Sequence, residues 1–405
     1  MQPWRKWAGF GAAAGLALAL APVVKGSFVL DGPLSRARSS LPSFEGLDPT
    51  RLDIRPHRVT APLSEGRTAE LTLDSSVQRA ARAEMRRYQV PEAGVVMLEA
   101  KTGRVLTYAS HVRRGTPFDV NARAEAPAAS LFKVVTAAAL VERGGLSSET
   151  EQCYHGGKSR IDADELFENP RLDRWCATLG IALGRSINTV FGRLAVKHLT
   201  PEDLMQTGGA FGFGAKVPFV LPNQPPRIRI PDDQLEFART SAGFWNTTLS
   251  PLAAASMAQT VANGGVTLEP RVVRAVYRDK EVLWKDERPP ITVRRAVSAE
   301  TATELTRMMV QTVSNGSASK AFHDQRGRPY LPNITVAGKT GTLTDHEKNR
   351  HYTWFIGFAP AEEPEVALSA LVVNTPAWRI KAPMLARDVL RTYFAKQGRP
   401  GVSRP

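Results

Sequence analysis

The chain has 405 residues, 42% hydrophobic and 23% charged, with a formal net charge of +14. That balance excludes a disordered polymer and suits one large globular domain or two ordinary ones. Its Arg and Lys are scattered, not gathered on one helix, and no nucleic-acid motif accompanies them. An anionic surface such as membrane lipid or cell-wall polymer suits the charge equally well.

Arg5 and Lys6 precede an uncharged stretch, residues 7–24, rich in Ala, Gly and Leu. It lies at the short end of a membrane span. Ala19-Leu20-Ala21 also resembles a signal-peptidase site. Residues 1–26 therefore read as a membrane anchor, with a cleaved signal as the alternative. Either exports the rest of the chain, and the leading positive charges keep the N-terminus inside. Residues 27–68 mix Pro, Ser, Arg and Gly without a period, and read as a linker.

From Leu71 the pattern changes. Asp74 or Ser75 can cap a helix through Gln78, Ala81 and Met85. Residues 94–98 and 105–108 flank Lys101-Thr102-Gly103 as two strands and a turn. An apolar helix spans 130–143 and stops at Gly144-Gly145. Cys153 and Cys176 follow. An even count in an exported chain predicts one disulfide, against the alternative of two buried thiols. Cys153 with His155 finds no further pair to complete a metal site, so none is expected. Helices are predicted over 178–184, 189–198, 201–208, 251–263 and 299–313. Strands follow over 334–342, 352–358 and 365–374, and a last helix over 383–396. Uneven alternation of helices and antiparallel strands predicts an α+β fold. Residues 398–405 read as a flexible tail.

Three short patterns carry chemistry. Ser130 and Lys133 stand three apart at the start of the 130–143 helix, so they share a face, with Cβ atoms about 5–6 Å apart. The unpaired N–H groups of that first turn can stabilise an oxyanion beside the hydroxyl. A Ser with a Lys as base is an activated nucleophile, although S-x-x-K alone also describes a helix start with a surface Lys. Downstream stand Ser186-Ile187-Asn188 and then Gly338-Lys339-Thr340-Gly341-Thr342.

S-x-x-K, S-x-N and K-T-G in this order resemble the transpeptidase domain of penicillin-binding proteins, whose acylation motifs are shared with serine β-lactamases. The similarity extends to Leu71-Thr72-Leu73-Asp74, to Ala242-Gly243-Phe244 and Ser250-Pro251-Leu252, and to Trp354-Phe355-Ile356-Gly357-Phe358. It spans roughly 69–397, which sets the expected domain. It implies an antiparallel sheet flanked by helices with an all-helical subregion. It also implies a D,D-transpeptidase acting on D-Ala-D-Ala stem peptides, inhibited covalently by β-lactams and needing no cofactor. Ser130 becomes the nucleophile and Lys133 its base. Ser186 becomes a proton shuttle, and Asn188 a partner of both Lys133 and the substrate amide. Lys339 supplies positive charge near the substrate carboxylate, Thr340 and Thr342 offer hydroxyls, and Gly341 lets substrate backbone approach. The N–H groups of Ser130 and Thr342 form the oxyanion hole.

The resemblance further implies a single-pass inner-membrane protein with a periplasmic catalytic domain. No glycosyltransferase or pedestal module is evident, so a separate glycosyltransferase is a candidate partner; no nucleic acid is. A D,D-carboxypeptidase, a β-lactam sensor and a non-catalytic wall scaffold remain alternatives. A β-lactamase is disfavoured, because no Glu-x-x-x-Asn segment follows S-x-N. Lys339 is not a P-loop lysine, since Asn333 stands where that loop needs Gly. His346 and His351 are five apart, about 140° off one helical face, and make no zinc motif.

Overall fold

A computed structural model describes residues 41–157, 160–375 and 377–405. Within them, Pro42–Pro405 form one compact unit. The anchor expected over residues 1–26 lies outside the described residues. Among those described, no helix is long and apolar enough to cross a membrane.

The centre is a five-stranded antiparallel sheet. Its members are β4 (Glu92–Glu99), β5 (Val105–Val112), β14 (Ala337–Asp345), β15 (Arg350–Ala359) and β16 (Val366–Asn374), in the order β14-β15-β16-β4-β5. Both faces are covered, so the middle strands are apolar throughout. On β15 the pleat sends Trp354, Ile356 and Phe358 into one core and Phe355 and Ala359 into the other. The second core is closed by α1 (Ser75–Arg87) and α10 (Ala382–Lys396), through Val77, Ala81 and Met85 against Val389, Leu390 and Phe394. Asp74 caps α1 by accepting from the N–H groups of Ser76 and Val77, and Lys396 of α10 donates to the same carboxylate at 2.5 Å.

The first core is larger and holds the helices. These are α2 (Lys133–Glu142), α3 (Leu179–Arg185), α4 (Asn188–His198), α5 (Pro201–Ala210), α6 (Gln234–Ser241), α7 (Pro251–Ala262) and α8 (Ala299–Ser314), whereas the short α9 (Ser319–Phe322) places Phe322 in the second core. Every residue of α7 is buried; its alanines let it lie directly on β16, β4 and β15. The remaining strands are short. β6 (Ala126–Pro127) pairs with β9 (Thr248–Leu249), β7 (Glu151–Tyr154) with β8 (Trp175–Thr178), and β10 (Val266–Leu268) with β13 (Thr292–Arg295). A second five-stranded sheet runs β1-β2-β3-β11-β12, from β1 (Asp53–Arg55), β2 (Arg58–Pro62), β3 (Arg67–Leu71), β11 (Val273–Arg278) and β12 (Glu281–Lys285).

Of the linker expected over 27–68, residues 27–40 lie outside the described residues, and the second sheet corrects the part that holds β1 to β3. Val59, Ala61 and Leu63 are core residues, and β3 pairs with β11 some 200 positions later. Strands of three to five residues interrupted by Pro56 and Pro62 are too brief to show a period. The tail at 398–405 is also tied down. Arg391 donates to the carbonyls of Ser403 and Arg404, and Val402 packs on the second core.

A chain beginning at Ala69 instead of Pro42 removes β1, β2 and the outer half of β3. It takes the β3 partners of Tyr277 and Arg278 away, leaves the rest of β3 as an unpaired edge and strips Val59 and Leu63 from the core. At about 1.5–3 kcal/mol per buried Val or Leu side chain, the shortened chain is expected to lose several kcal/mol. Urea unfolding of the two chains measures this. Equal midpoints would return the segment to linker status.

Candidate active site

The site forms where α2 and α3–α4 meet the free edge of β14. Ser130 lies in a 3₁₀ turn, Ala129–Phe132, that runs directly into α2. The continuous α-helix expected over 130–143 is thus a 3₁₀ turn followed by an α-helix. In 3₁₀ geometry, residues three apart eclipse each other, and Lys133 Nζ comes to 3.1 Å from Ser130 Oγ.

The turn is pinned from several sides. Ala129 has φ +50°, a left-handed conformation that disfavours a non-glycine residue by about 1–2 kcal/mol. A Cβ at Gly243 would meet Ala129 O at 2.3 Å, so only glycine fits there. Trp354 is fully buried core, and its indole N–H also donates to Pro127 O at 2.9 Å. The Ala128 N–H donates to Thr247 O at 3.1 Å. These contacts hold the half-buried Ser130 against β14.

Lys133 is completely buried. Its ammonium donates to Ser130 Oγ, to Asn188 Oδ1 at 2.8 Å and to Ala242 O at 2.5 Å. Burial, and then the nearby charge of Lys339, hold its pKa well below the ordinary lysine value. Asn188 therefore meets Lys133 as expected. Its Nδ2, assigned in sequence to the substrate amide, donates to Gly157 O at 3.1 Å.

Ser186 caps the C-terminus of α3 in the left-handed region, with φ +61°. Asn188 then opens α4. Lys339 is also fully buried and donates to Ser186 Oγ at 3.1 Å and to Thr340 O at 2.8 Å. Burial lowers its pKa to about 7. The Lys339 side chain, expected to supply charge near the substrate carboxylate, bonds Ser186, a contact the sequence reading did not include. Thr342 is exposed on the strand edge, and the Thr340 hydroxyl lies 2.5 Å from the Ser317 hydroxyl. The small size of Gly341 serves the nucleophile turn, because a Cβ there would already meet Ala128 O at 3.3 Å and Ala129 Cβ at 3.4 Å.

Cys153 and Cys176 are disulfide-bonded across β7 and β8, and β8 leads straight into α3. Arg193, on the helix that begins with Asn188, is buried beneath this hairpin. It donates to the carbonyls of Cys153, Glu165 and Phe167 and to Asp173. The Arg193 bond holds the Asp173 carboxyl well below the usual carboxylate range. Glu165 accepts from the N–H groups of Gly157 and Asp162, so both its oxygens are engaged.

Sequence reasoning missed Ala242 O, Gly157 O, Gly243, Arg193 and Ser317. Two are backbone carbonyls, which leave no side-chain signature. Ala242-Gly243 stood in a segment noted only for its similarity.

The two lysines make stability depend on pH. An ordinary lysine titrates at 10.5, and burial in the fold brings Lys339 to about 7. Below pH 7 both folded and unfolded chains hold this proton. Between about 7 and 10.5 the unfolded chain holds more protons, so stability rises with pH across that window. Lys339→Met lacks this contribution. Urea midpoints at pH 6.5 and 9.5 are expected to show wild type gaining on the variant as pH rises. A constant difference would contradict a buried, pKa-lowered Lys339.

Comparison with known proteins is consistent with this arrangement. Residues 93–391 match the family model described as the penicillin binding protein transpeptidase domain. Peptidoglycan D,D-transpeptidase PbpA of Mycobacterium tuberculosis is 29% identical over 352 residues, covering 76% of this chain and 68% of that protein. Among solved structures, the D,D-transpeptidase domain of a peptidoglycan glycosyltransferase from Eggerthella lenta superposes with a TM-score of 0.66 at 25% identity, covering 82% of this chain and 83% of that one. The imipenem acyl-enzyme complex of penicillin-binding protein A from M. tuberculosis gives 0.66 at 25% identity, covering 80% and 79%. The chain belongs to the penicillin-binding protein transpeptidase domain family.

Proposed function

We propose that this protein is a serine D,D-transpeptidase that cross-links peptidoglycan stem peptides and is acylated by β-lactams. The observation that carries the reading is the fully buried Lys133 amine, 3.1 Å from the Ser130 hydroxyl. An amine with a lowered pKa can accept the hydroxyl proton near neutral pH. Ser130 Oγ then attacks the carbonyl of the penultimate D-Ala. The peptide C–N bond breaks, and the terminal D-Ala leaves as an amine with a proton delivered through Ser186. Lys339, bonded to Ser186, steadies that shuttle. An amine of a second stem peptide next attacks the Ser130 ester, the C–O bond breaks, and Ser130 regains its proton.

β14 is the edge strand beside the nucleophile, so an extended peptide can pair along it. The N–H groups of Ser130 and Thr342 are assigned to the oxyanion hole, with the Thr340 and Thr342 hydroxyls to the substrate carboxylate. A disulfide suits an oxidising compartment. It supports an extracytoplasmic domain, for which the N-terminal segment is the proposed tether and a separate glycosyltransferase the proposed partner.

Incubation with benzylpenicillin is expected to add one penicilloyl group to wild type and none to Ser130→Ala, read by intact-protein mass spectrometry. The adduct is expected to last minutes to hours, since the Glu165 carboxylate is engaged by backbone. Labelling of Ser130→Ala would overturn the nucleophile. Rapid turnover would point to a β-lactamase.

A further inference from the structure

We propose that Ser317 is a positioning residue of this site, orienting the Thr340 hydroxyl toward the substrate carboxylate; the inference rests on the transpeptidase reading above. Ser317 lies in the turn between α8 and α9, outside the three motifs. It touches both walls of the cleft. Its N–H donates to Gly184 O at 2.9 Å, two residues before Ser186. Its hydroxyl lies 2.5 Å from Thr340 Oγ1, next to Lys339. The gap it spans is the one crossed by the Lys339–Ser186 bond of 3.1 Å.

The backbone is built for this approach. A Cβ at Gly316 would meet Gly184 O at 2.3 Å and Gln311 O at 2.6 Å. A Cβ at Gly184 would meet Gln311 Cβ at 2.7 Å. Two glycines thus let the end of α3 lie directly on the turn that presents Ser317.

Either hydroxyl can donate in this bond, and the proposed role of Thr340 selects the direction. Thr340 has one proton to give and two lone pairs. To donate to a carboxylate, it must accept its other bond from elsewhere. Ser317 O–H supplies that bond, leaves the Thr340 proton free and polarises it further. Ser317 is itself exposed, so removing its hydroxyl opens no cavity in the core.

The test compares acylation by benzylpenicillin with acylation by its methyl ester, which lacks the charge Thr340 is oriented to meet. Wild type, Ser317→Ala and Ser317→Thr are measured by mass spectrometry over time. For Ser317→Ala, acylation efficiency with benzylpenicillin is expected to fall about tenfold, the effect of weakening one hydrogen bond to a charged group. The loss is expected mainly in the half-saturating concentration. The methyl ester reaction is expected to change less than about twofold, because no charged carboxylate is there to be bound. Ser317→Thr restores the hydroxyl and is expected to recover most of the benzylpenicillin rate. Equal losses with both compounds, or no loss with either, would overturn the role of Ser317 alone. Failure of wild type to form any adduct would overturn the transpeptidase reading and this inference with it.

Discussion

Burying the Lys133 ammonium is the constraint on which the rest of the site depends. An isolated charge in such a position is strongly disfavoured unless it is hydrogen-bonded or loses its proton. The fold supplies three acceptors, Ser130 Oγ, Asn188 Oδ1 and Ala242 O, which hold the amine in place, while burial and the Lys339 charge favour its deprotonation. Each acceptor makes demands of its own. Ala242 O can reach Lys133 because Gly243 admits the nucleophile turn. Asn188 is oriented because Gly157 O takes its other end. Gly157 is held by Glu165, whose carbonyl is held by Arg193. The disulfide hairpin closes that chain through Cys153 O.

The second lysine repeats the device with one acceptor hydroxyl, Ser186, and one carbonyl. Burial lowers both pKa values, and the Lys339 charge is a further cause of the Lys133 shift. The site therefore separates two jobs. Thr340 and Thr342 carry hydroxyls on the edge strand β14, and in the proposed mechanism the two fully buried amines manage the protons. The sheet keeps these two sets of groups in register, since Trp354 on β15 reaches past β14 to bond Pro127 of the nucleophile segment.

Much of this was legible in the residues. Ser130, Lys133, Ser186, Asn188 and Lys339–Thr342 converge on one cleft because each stands in a short pattern. Helices such as α7 and α8 were visible because long apolar runs keep their period. The boundaries of the last helix and of the central strands fell within a few residues for the same reason. Other features had no such signal. β1 to β3 are too short and Pro-interrupted to show alternation, so they read as linker. The left-handed Ala129 and Ser186 are imposed by tertiary contacts, and neither residue type announces such a backbone. Lys339 was expected beside substrate because its motif suggested a charge; only the packing shows that its side chain bonds Ser186. Ser317 is one serine among many until the fold brings Thr340 beside it.

The account stands on a Lys133 amine held well below the ordinary lysine pKa while Ser130 remains beside it. Direct titration tests this: ¹³C-lysine NMR of the wild-type protein, with the resonance assigned by its loss in Lys133→Met. The Lys133 Cε shift is expected to titrate well below the ordinary lysine value of 10.5. Titration at that ordinary value would mean a charged, solvated lysine, and would contradict its role as the base.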